Sequence, residues 1–369
     1  MFNLKQYKKP FCYRESKKFK IFEYPLMKDK YFWKFPKKYN SKKFQKLMIS
    51  GPARNGNHLM ISLIDGHKDI ATQFGEDSTL TSFLCCVKKD EKKAIENIKN
   101  YNSKFVLGLS GQYYPNNKKI VGYDKWKNLF ELFKKKRKSN TWSGIQSDGK
   151  SFAQDYQDFV PKIDYKKFKK KIMEPKGFKN FFDFWYFYLN AYKILAKKNN
   201  VNLKYQYNYA ASGSRRELFF ILNKTKNIKV LCPIREFSSF YFSFSKSRFN
   251  STKITKKNLK EAWAHWYHKV IDYLILQKKY PKNVLIVKYE DLTNDTISTM
   301  RRVAKKLNIE PSKSLFIPTI NGKKTKGNSS FKNNKNKFGK IYKNDNKIKL
   351  AIKFQNYDKI LKYINKIKV

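Results

Sequence analysis

Residues 46–67 read KLMISGPARNGNHLMISLIDGH, and their order decides the fold class. Lys46 to Ser50 is an apolar run of strand length, and Gly51 to Gly56 is a turn bounded by glycines. Leu59, Ile61, Leu63 and Ile64 then give the next stretch an apolar helical face. Strand, glycine-rich loop and helix make up the first unit of a nucleotide-binding α/β fold. The GxxxxG spacing of Gly51-Pro52-Ala53-Arg54-Asn55-Gly56 suits a loop whose backbone N–H groups and following helix N-terminus cradle phosphate oxygens. Arg54 adds a guanidinium able to clamp two oxygens of a tetrahedral anion; the plainer alternative is a strand-to-helix turn with an incidental Arg. A loop built for Mg·ATP continues with Lys and then Ser or Thr, whereas this chain continues with Asn57 and His58.

Working outward, Ile70 to Phe74 and FVLGLS (105–110) are further strand candidates, and the rhythm then weakens over about 111–200. That stretch is Lys-rich and aromatic-rich and reads as a helical insertion, ending in FKNFFDFWYFYLNAYKILAKK. The alternation resumes with a strand in NLKYQYNYAASG, a helix in RRELFFILNK and the continuous apolar strand IKVLCPI (228–234), of the kind buried in a parallel sheet. A long amphipathic helix runs to Pro281, NVLIVKY (283–289) is another buried strand, and TISTMRRVAKKLNI another helix. The expected fold is therefore α/β, a P-loop NTPase-like three-layer fold with a central parallel sheet and the aromatic-rich insertion. It is bounded by a basic N-terminal extension (1–44), a core domain (45–330) and a Lys/Asn-rich C-terminal tail (331–369) with a short helix near 349–364.

Composition supports a folded domain. The 369 residues include 17% aromatics, too many for a disordered polycation. The net charge of +54 invites a nucleic-acid reading, since counterion release rewards a basic surface. Against it, only nine of the 82 cations are Arg, the excess is spread along the chain, and Lys, Asn, Ile, Tyr and Phe are abundant together, as in AT-rich coding sequence. No helix-turn-helix, zinc-finger or RNP-type signature is present. Cys12, Cys85, Cys86 and Cys232 fit neither a metal-ligand spacing nor a disulfide framework. The first twenty residues lack a signal peptide's apolar region, and the densest apolar run, Phe181 to Leu189, is too short to span a membrane, so a cytoplasmic location is expected.

Several motifs together resemble the sulfotransferase family, which uses 3′-phosphoadenosine 5′-phosphosulfate (PAPS) on a P-loop-type fold; the resemblance covers roughly 45–110 and 203–330. GPARNGNHLMISLIDGHKDIATQFGE is similar to the family's 5′-phosphosulfate loop, P-[KR]-S-G-[TN]-x-L, with Asn55 where the family usually has Ser and Lys68 where it has Pro. The resemblance implies nucleotide contacts from Pro52, Ala53, Arg54, Asn55, Gly56, Asn57 and His58. The family's 3′-phosphate motif, an Arg closing a buried strand and a Ser eight residues on, is matched by Arg235 and Ser243, with Arg248 following. A 3′-phosphate distinguishes PAPS from ATP, so a fixed fork and a hydroxyl donor are the apt groups. VLIVKYEDLTNDTISTMRRVAKKLNI resembles the family's V-R-Y-E-D-L and its helix; Glu290 and Asp291 are read as structural, near the sheet end. NGKKTKGNSSF resembles the late loop closing over the nucleotide, making Lys326, Gly327 and Asn328 candidates.

The implied reaction moves a sulfuryl group from PAPS to a hydroxyl or amine, the family suggesting a carbohydrate or glycolipid acceptor, and it calls for no metal. Arg54 and His58 are candidates for stabilising the leaving nucleotide. Glu76, 22 residues beyond Arg54, is the candidate base, with Asp77 and His58 as alternatives. His67 is read as packing at a helix end, and Trp126, Trp142, Trp185 and Tyr188 as either core or acceptor platforms. The rival readings are a P-loop kinase or NTPase and a basic nucleic-acid-binding protein.

Overall fold

The computed structural model describes residues 46–52, 54–71, 205–209, 227–248, 254–320 and 357–369, with isolated positions within 167–191, 218–223 and 323–338. Strand β1 (Lys46–Ile49) leads through the glycine-bounded loop into helix α1 (Asn57–Asp65), and the chain then enters β2 (Ile70–Ala71). Strand β3 (Tyr205–Tyr209) follows far along the sequence, then β4 (Ile228–Ile234), α2 (Phe237–Arg248) and α3 (Lys256–Lys279). Strand β5 (Val284–Lys288), α4 (Tyr289–Asn294) and α5 (Thr296–Leu307) complete the alternation. The five strands form one sheet in the order β2-β3-β1-β4-β5, and every pairing is parallel. This is the α/β architecture the sequence implied. The strand expected at 105–110, the N-terminal extension and the four aromatic platform candidates lie outside the described residues.

The order of the strands places the functional loop. From β1 the chain moves to one side of the sheet for β2 and β3 and to the other for β4 and β5, so the carboxyl end of β1 is the switch point where such sheets open a crevice. Register sharpens this. Ile49, the last residue of β1, pairs with Leu231, whereas β4 continues through Cys232, Pro233 and Ile234. Ser50 N still donates to Leu231 O at 3.0 Å, and beyond it the loop departs alongside the overhanging end of β4. Pro233, which has no N–H to donate, sits in that overhang, pairing only with Val287 of β5. Gly51 is required at this crossing: a Cβ there would lie 2.6 Å from Pro233 O.

The core is continuous from the sheet into its helices. Leu47, Met48, Ile49, Val230, Leu231, Cys232, Ile234 and Ile286 are buried, as are Leu59, Met60, Leu63 and Ile64 on α1. Burial pushes the Cys232 thiol well up from its usual range, so it is inert packing. Among the described residues, Trp266, Tyr241 and Tyr273 are the largest fully buried side chains, and Tyr273 OH meets Ser50 Oγ at 2.8 Å just before the loop. Trp263 packs on Phe237, Trp266 and Tyr267.

Local signals explain the boundaries. Thr255 caps α3 by accepting from Asn258 N, and Lys278 and Lys279 complement its C-terminal dipole before Pro281. Asp295 breaks α4 from α5 and caps the latter by accepting from Ser298 N; Asn308, at φ 56°, ends it in the left-handed conformation. The C-terminal helix α6, placed near 349–364 by sequence, runs Tyr357–Ile367. Its end covers the outer strand: Val369 N donates to Ile286 O at 2.9 Å, and Lys368 pairs with Asp291 at 2.9 Å. After Pro311 a 3-10 turn (Lys313–Phe316) and a short strand (Thr319–Ile320) pack near α1, where Thr319 donates to Asp65 at 2.7 Å, and the strand pairs antiparallel with Lys323–Lys324.

Because Leu231 is wholly buried in a strand with neighbours on both sides, Leu231→Ala is expected to cost about 2–5 kcal/mol. Lys229→Ala on the same strand is expected to stay within about 1 kcal/mol. Urea unfolding of both variants checks the contrast.

Candidate active site

The loop between β1 and α1 has an unusual backbone. Arg54 at φ 66° and Gly56 at φ 97° flank Asn55, so the sign of φ alternates along the turn, the pattern that gathers amides into an anion-binding concavity. A left-handed Arg costs on the order of 1 kcal/mol, a strain the rest of the loop must hold in place. Gly56 is the N-cap of α1 without a side-chain cap, and the first helical turn has no acidic residue. The positive end of the helix therefore faces the loop without a carboxylate of its own first turn to neutralise it.

Two asparagines shape the loop from inside. Asn57 Nδ2 donates to Gly51 O at 3.0 Å and to Pro52 O at 3.2 Å, closing the turn on itself. Asn57 occupies the place of the lysine in an ATP-binding loop, and its amide is spent on the loop's own carbonyls. Asn55, wholly buried, reaches across instead: its Oδ1 accepts from Arg235 N at 2.7 Å. The loop after β1 and the residue closing β4 are thus directly bonded although 180 positions apart.

Arg235 is buried, and its surroundings fix both backbone and side chain. Trp266 Nε1 donates to Arg235 O at 2.7 Å, Arg235 Nε donates to Ser239 Oγ at 2.8 Å, and the guanidinium carbon lies 4.2 Å from the centre of the Tyr289 ring. A cation over an aromatic face is worth about 0.5–2 kcal/mol, the upper end where water is excluded. Sequence reasoning gives Ser243 as a hydroxyl donor to the 3′-phosphate. In the structure the serine bonded to Arg235 is Ser239, buried at the start of α2, while Ser243 lies one turn on and is half-buried. Tyr289 was also missed. The parallel register that pairs Ile234 with Lys288 makes Arg235 and Tyr289 the next residues of their strands, so the contact follows once β4 and β5 are known to be neighbours.

Glu290 stands beside this arrangement. It is buried; one carboxylate oxygen accepts from Glu236 N at 3.1 Å, and the other has no hydrogen-bond partner among the described residues. Burial first, and repulsion by Glu236 second, push its carboxyl up to about 7, against the opposing pull of its backbone bonds and Arg235. Lys288 answers Glu236 with an ion pair at 2.7 Å. Glu290 and Asp291 each have a partner near the sheet end, Glu236 N and Lys368. His67 is buried at the end of α1; its Nδ1 accepts from Asp69 N and its Nε2 donates to Glu310 O, which fixes the tautomer. Lys68, where the resembling motif has Pro, makes an exposed pair with Glu310. Ala53, Glu76, Asp77, Lys326, Gly327 and Asn328, and the side chains of His58 and Arg248, lie outside the described residues.

Glu290 sets a testable pH dependence. Its folded-state pKa is raised from 4.5 to about 7, so the folded protein binds the proton more tightly than the unfolded chain does. Stability from this group is present in acid and lost as pH rises from about 4.5 to about 7. Glu290→Gln, which keeps an oxygen for Glu236 N, is expected to lack that downward slope and to exceed the wild type in Tm above pH 7. Thermal unfolding of both proteins from pH 5 to 8 checks this; parallel slopes would assign the titration elsewhere.

Comparison with known proteins follows the same segment. Residues 216–313 match the model of the Sulfotransferase family. Among solved structures, the sulfotransferase domain of the Synechococcus PCC 7002 olefin synthase is 14% identical with a TM-score of 0.46, the alignment covering 77% of this chain and 80% of that one. The sulfotransferase domain from the curacin biosynthetic pathway is 15% identical with a TM-score of 0.40, covering 74% and 77%. A sulfotransferase from Alicyclobacillus acidocaldarius is 10% identical with a TM-score of 0.35, covering 75% and 85%. No curated protein matches the chain. The matched segment takes in Arg235 with its strand, the helices that fix it and the Tyr289-Glu290 corner.

Proposed function

We propose that the protein transfers a sulfuryl group from PAPS to a hydroxyl or amine of an acceptor of carbohydrate or glycolipid type. One observation carries the reading: the anion-ready loop after β1 and the buried Arg235 closing β4 meet at the switch point of the sheet, joined by the Asn55 to Arg235 bond. A donor with a 5′-phosphosulfate and a 3′-phosphate needs two cationic or amide-lined arms at one crevice. The loop with Arg54 is assigned to the first and Arg235, with Ser239 and Ser243 nearby, to the second. The inward-turned Asn57 favours this donor over Mg·ATP, which is served by a lysine at that place.

In the proposed reaction the acceptor oxygen or nitrogen attacks sulfur in line, the bond from sulfur to the 5′-phosphate oxygen breaks, and the acceptor proton passes to a base. The residues of this chain contribute orientation and charge. Loop amides, the α1 N-terminus and Arg54 stabilise the charge that grows on the departing phosphate, the kind of preorganised electrostatics that carries much of group-transfer catalysis. Glu76 is the base assigned from sequence, with Asp77 or His58 in reserve. The acceptor side is assigned to the aromatic-rich insertion, approximately 111–200.

Calorimetric titration with 3′-phosphoadenosine 5′-phosphate beside Mg·ADP, in the same moderate salt, tests the donor. Selective binding of the 3′-phosphorylated nucleotide is expected; equal or better binding of Mg·ADP overturns the reading in favour of a kinase-like site. Binding of neither points to a basic scaffold. Arg235→Ala is expected to weaken the 3′-phosphorylated nucleotide about 10- to 100-fold, the worth of a charge-assisted contact. Glu76→Gln is expected to lower turnover of labelled PAPS about 10²- to 10⁴-fold with nucleotide affinity retained.

A further inference from the structure

The two arms assigned to the donor stand on different strands, and nothing in a parallel sheet requires one to sense the other. Here they are joined twice. Asn55 Oδ1 accepts from Arg235 N at 2.7 Å with both residues buried, so the loop and the end of β4 keep a fixed spacing. Tyr289 makes the second join. Its ring lies 4.2 Å from the Arg235 guanidinium carbon and packs so closely under the loop that a Cβ on Gly56 would fall 2.3 Å from its Cδ2. A shift of the loop therefore displaces the backbone of Arg235 through one contact and its side chain through the other.

The residue type at position 55 matters for the first join. Asn carries its acceptor one atom further from the backbone than Ser, the residue of the resembling loop motif, so at the same backbone position a serine hydroxyl falls short of Arg235 N. The departure from that motif thus coincides with a contact that a serine could not make. Asn55 and Arg235 are neither ion-paired nor adjacent in sequence, and their bond lies within the crevice wall.

We infer that Asn55 is a positioning residue that couples the two donor arms, with Tyr289 as its side-chain counterpart. Affinity for the 3′-phosphate then depends on Asn55 through Arg235. This rests on the donor reading above. It predicts a differential effect that simple destabilisation would not produce: the gain in affinity from adding a 3′-phosphate to adenosine 5′-phosphate shrinks.

The experiment measures dissociation constants for adenosine 5′-phosphate and 3′-phosphoadenosine 5′-phosphate by calorimetry on the full chain. In Asn55→Ser the ratio of the two is expected to fall about 5-fold, the value of one buried hydrogen bond, over and above any loss common to both nucleotides. Tyr289→Leu is expected to lower the same ratio and Tyr289→Phe, which keeps the ring face, to preserve it, so a failure of Asn55→Ser to fold leaves the coupling measurable. A wild-type preference for the 3′-phosphate that survives intact in Asn55→Ser, or in Tyr289→Leu, overturns the coupling alone. A wild type without that preference removes the donor reading and the coupling together.

Discussion

Arg235 is held from four directions, and the crevice depends on that fixity. Its N–H goes to the loop after β1, its carbonyl to Trp266 of α3, its Nε to Ser239 of α2 and its guanidinium to the ring that opens α4. Each contact alone is worth roughly 1 kcal/mol net, but a long side chain that must meet an anion loses less entropy when its geometry is already set. The condition that permits all four is the unequal length of two neighbouring strands. Had β4 ended level with β1, Arg235 would lie beneath the loop and not beside it.

The corner behind Arg235 is electrostatically tight. Glu236 and Glu290 approach one another under a shared hydrogen bond, Lys288 compensates the more open of the two, and Arg235 lends attraction to the buried one. A buried carboxyl with one oxygen unpartnered among the described residues is costly, and the burial that raises its proton affinity is the same burial that shields the arginine. The C-terminal segment closes this region: Tyr357 packs on Phe237, Trp263 and Trp266, and Lys368 and Val369 tie α6 to Asp291 and to β5.

The local alternation of strand, loop and helix was legible because each element obeys a short-range rule. IKVLCPI coincides with β4, and KLMIS, HLMISLIDGH and NVLIVKY differ from β1, α1 and β5 by a residue or two at their ends. The loop and Arg235 were also legible, the first from glycine spacing, the second as the cation closing an apolar strand. His67 and Glu290 could be read as structural because each sits at the end of an apolar element.

What tertiary structure alone decided is the set of relations between elements: strand order, register and the overhang of β4. Glycine spacing announces a phosphate loop, but not that Asn57 would fold inward while Asn55 reached for a residue 180 positions away. An Arg-to-Ser spacing names Ser243, but not that Arg235 itself would bond to Ser239. Patterns of 2.0 and 3.6 residues are written into neighbouring positions and can be read there. Contacts such as Tyr289 on Arg235 arise only when two strands settle side by side in one register, a choice made by the packing of the whole sheet.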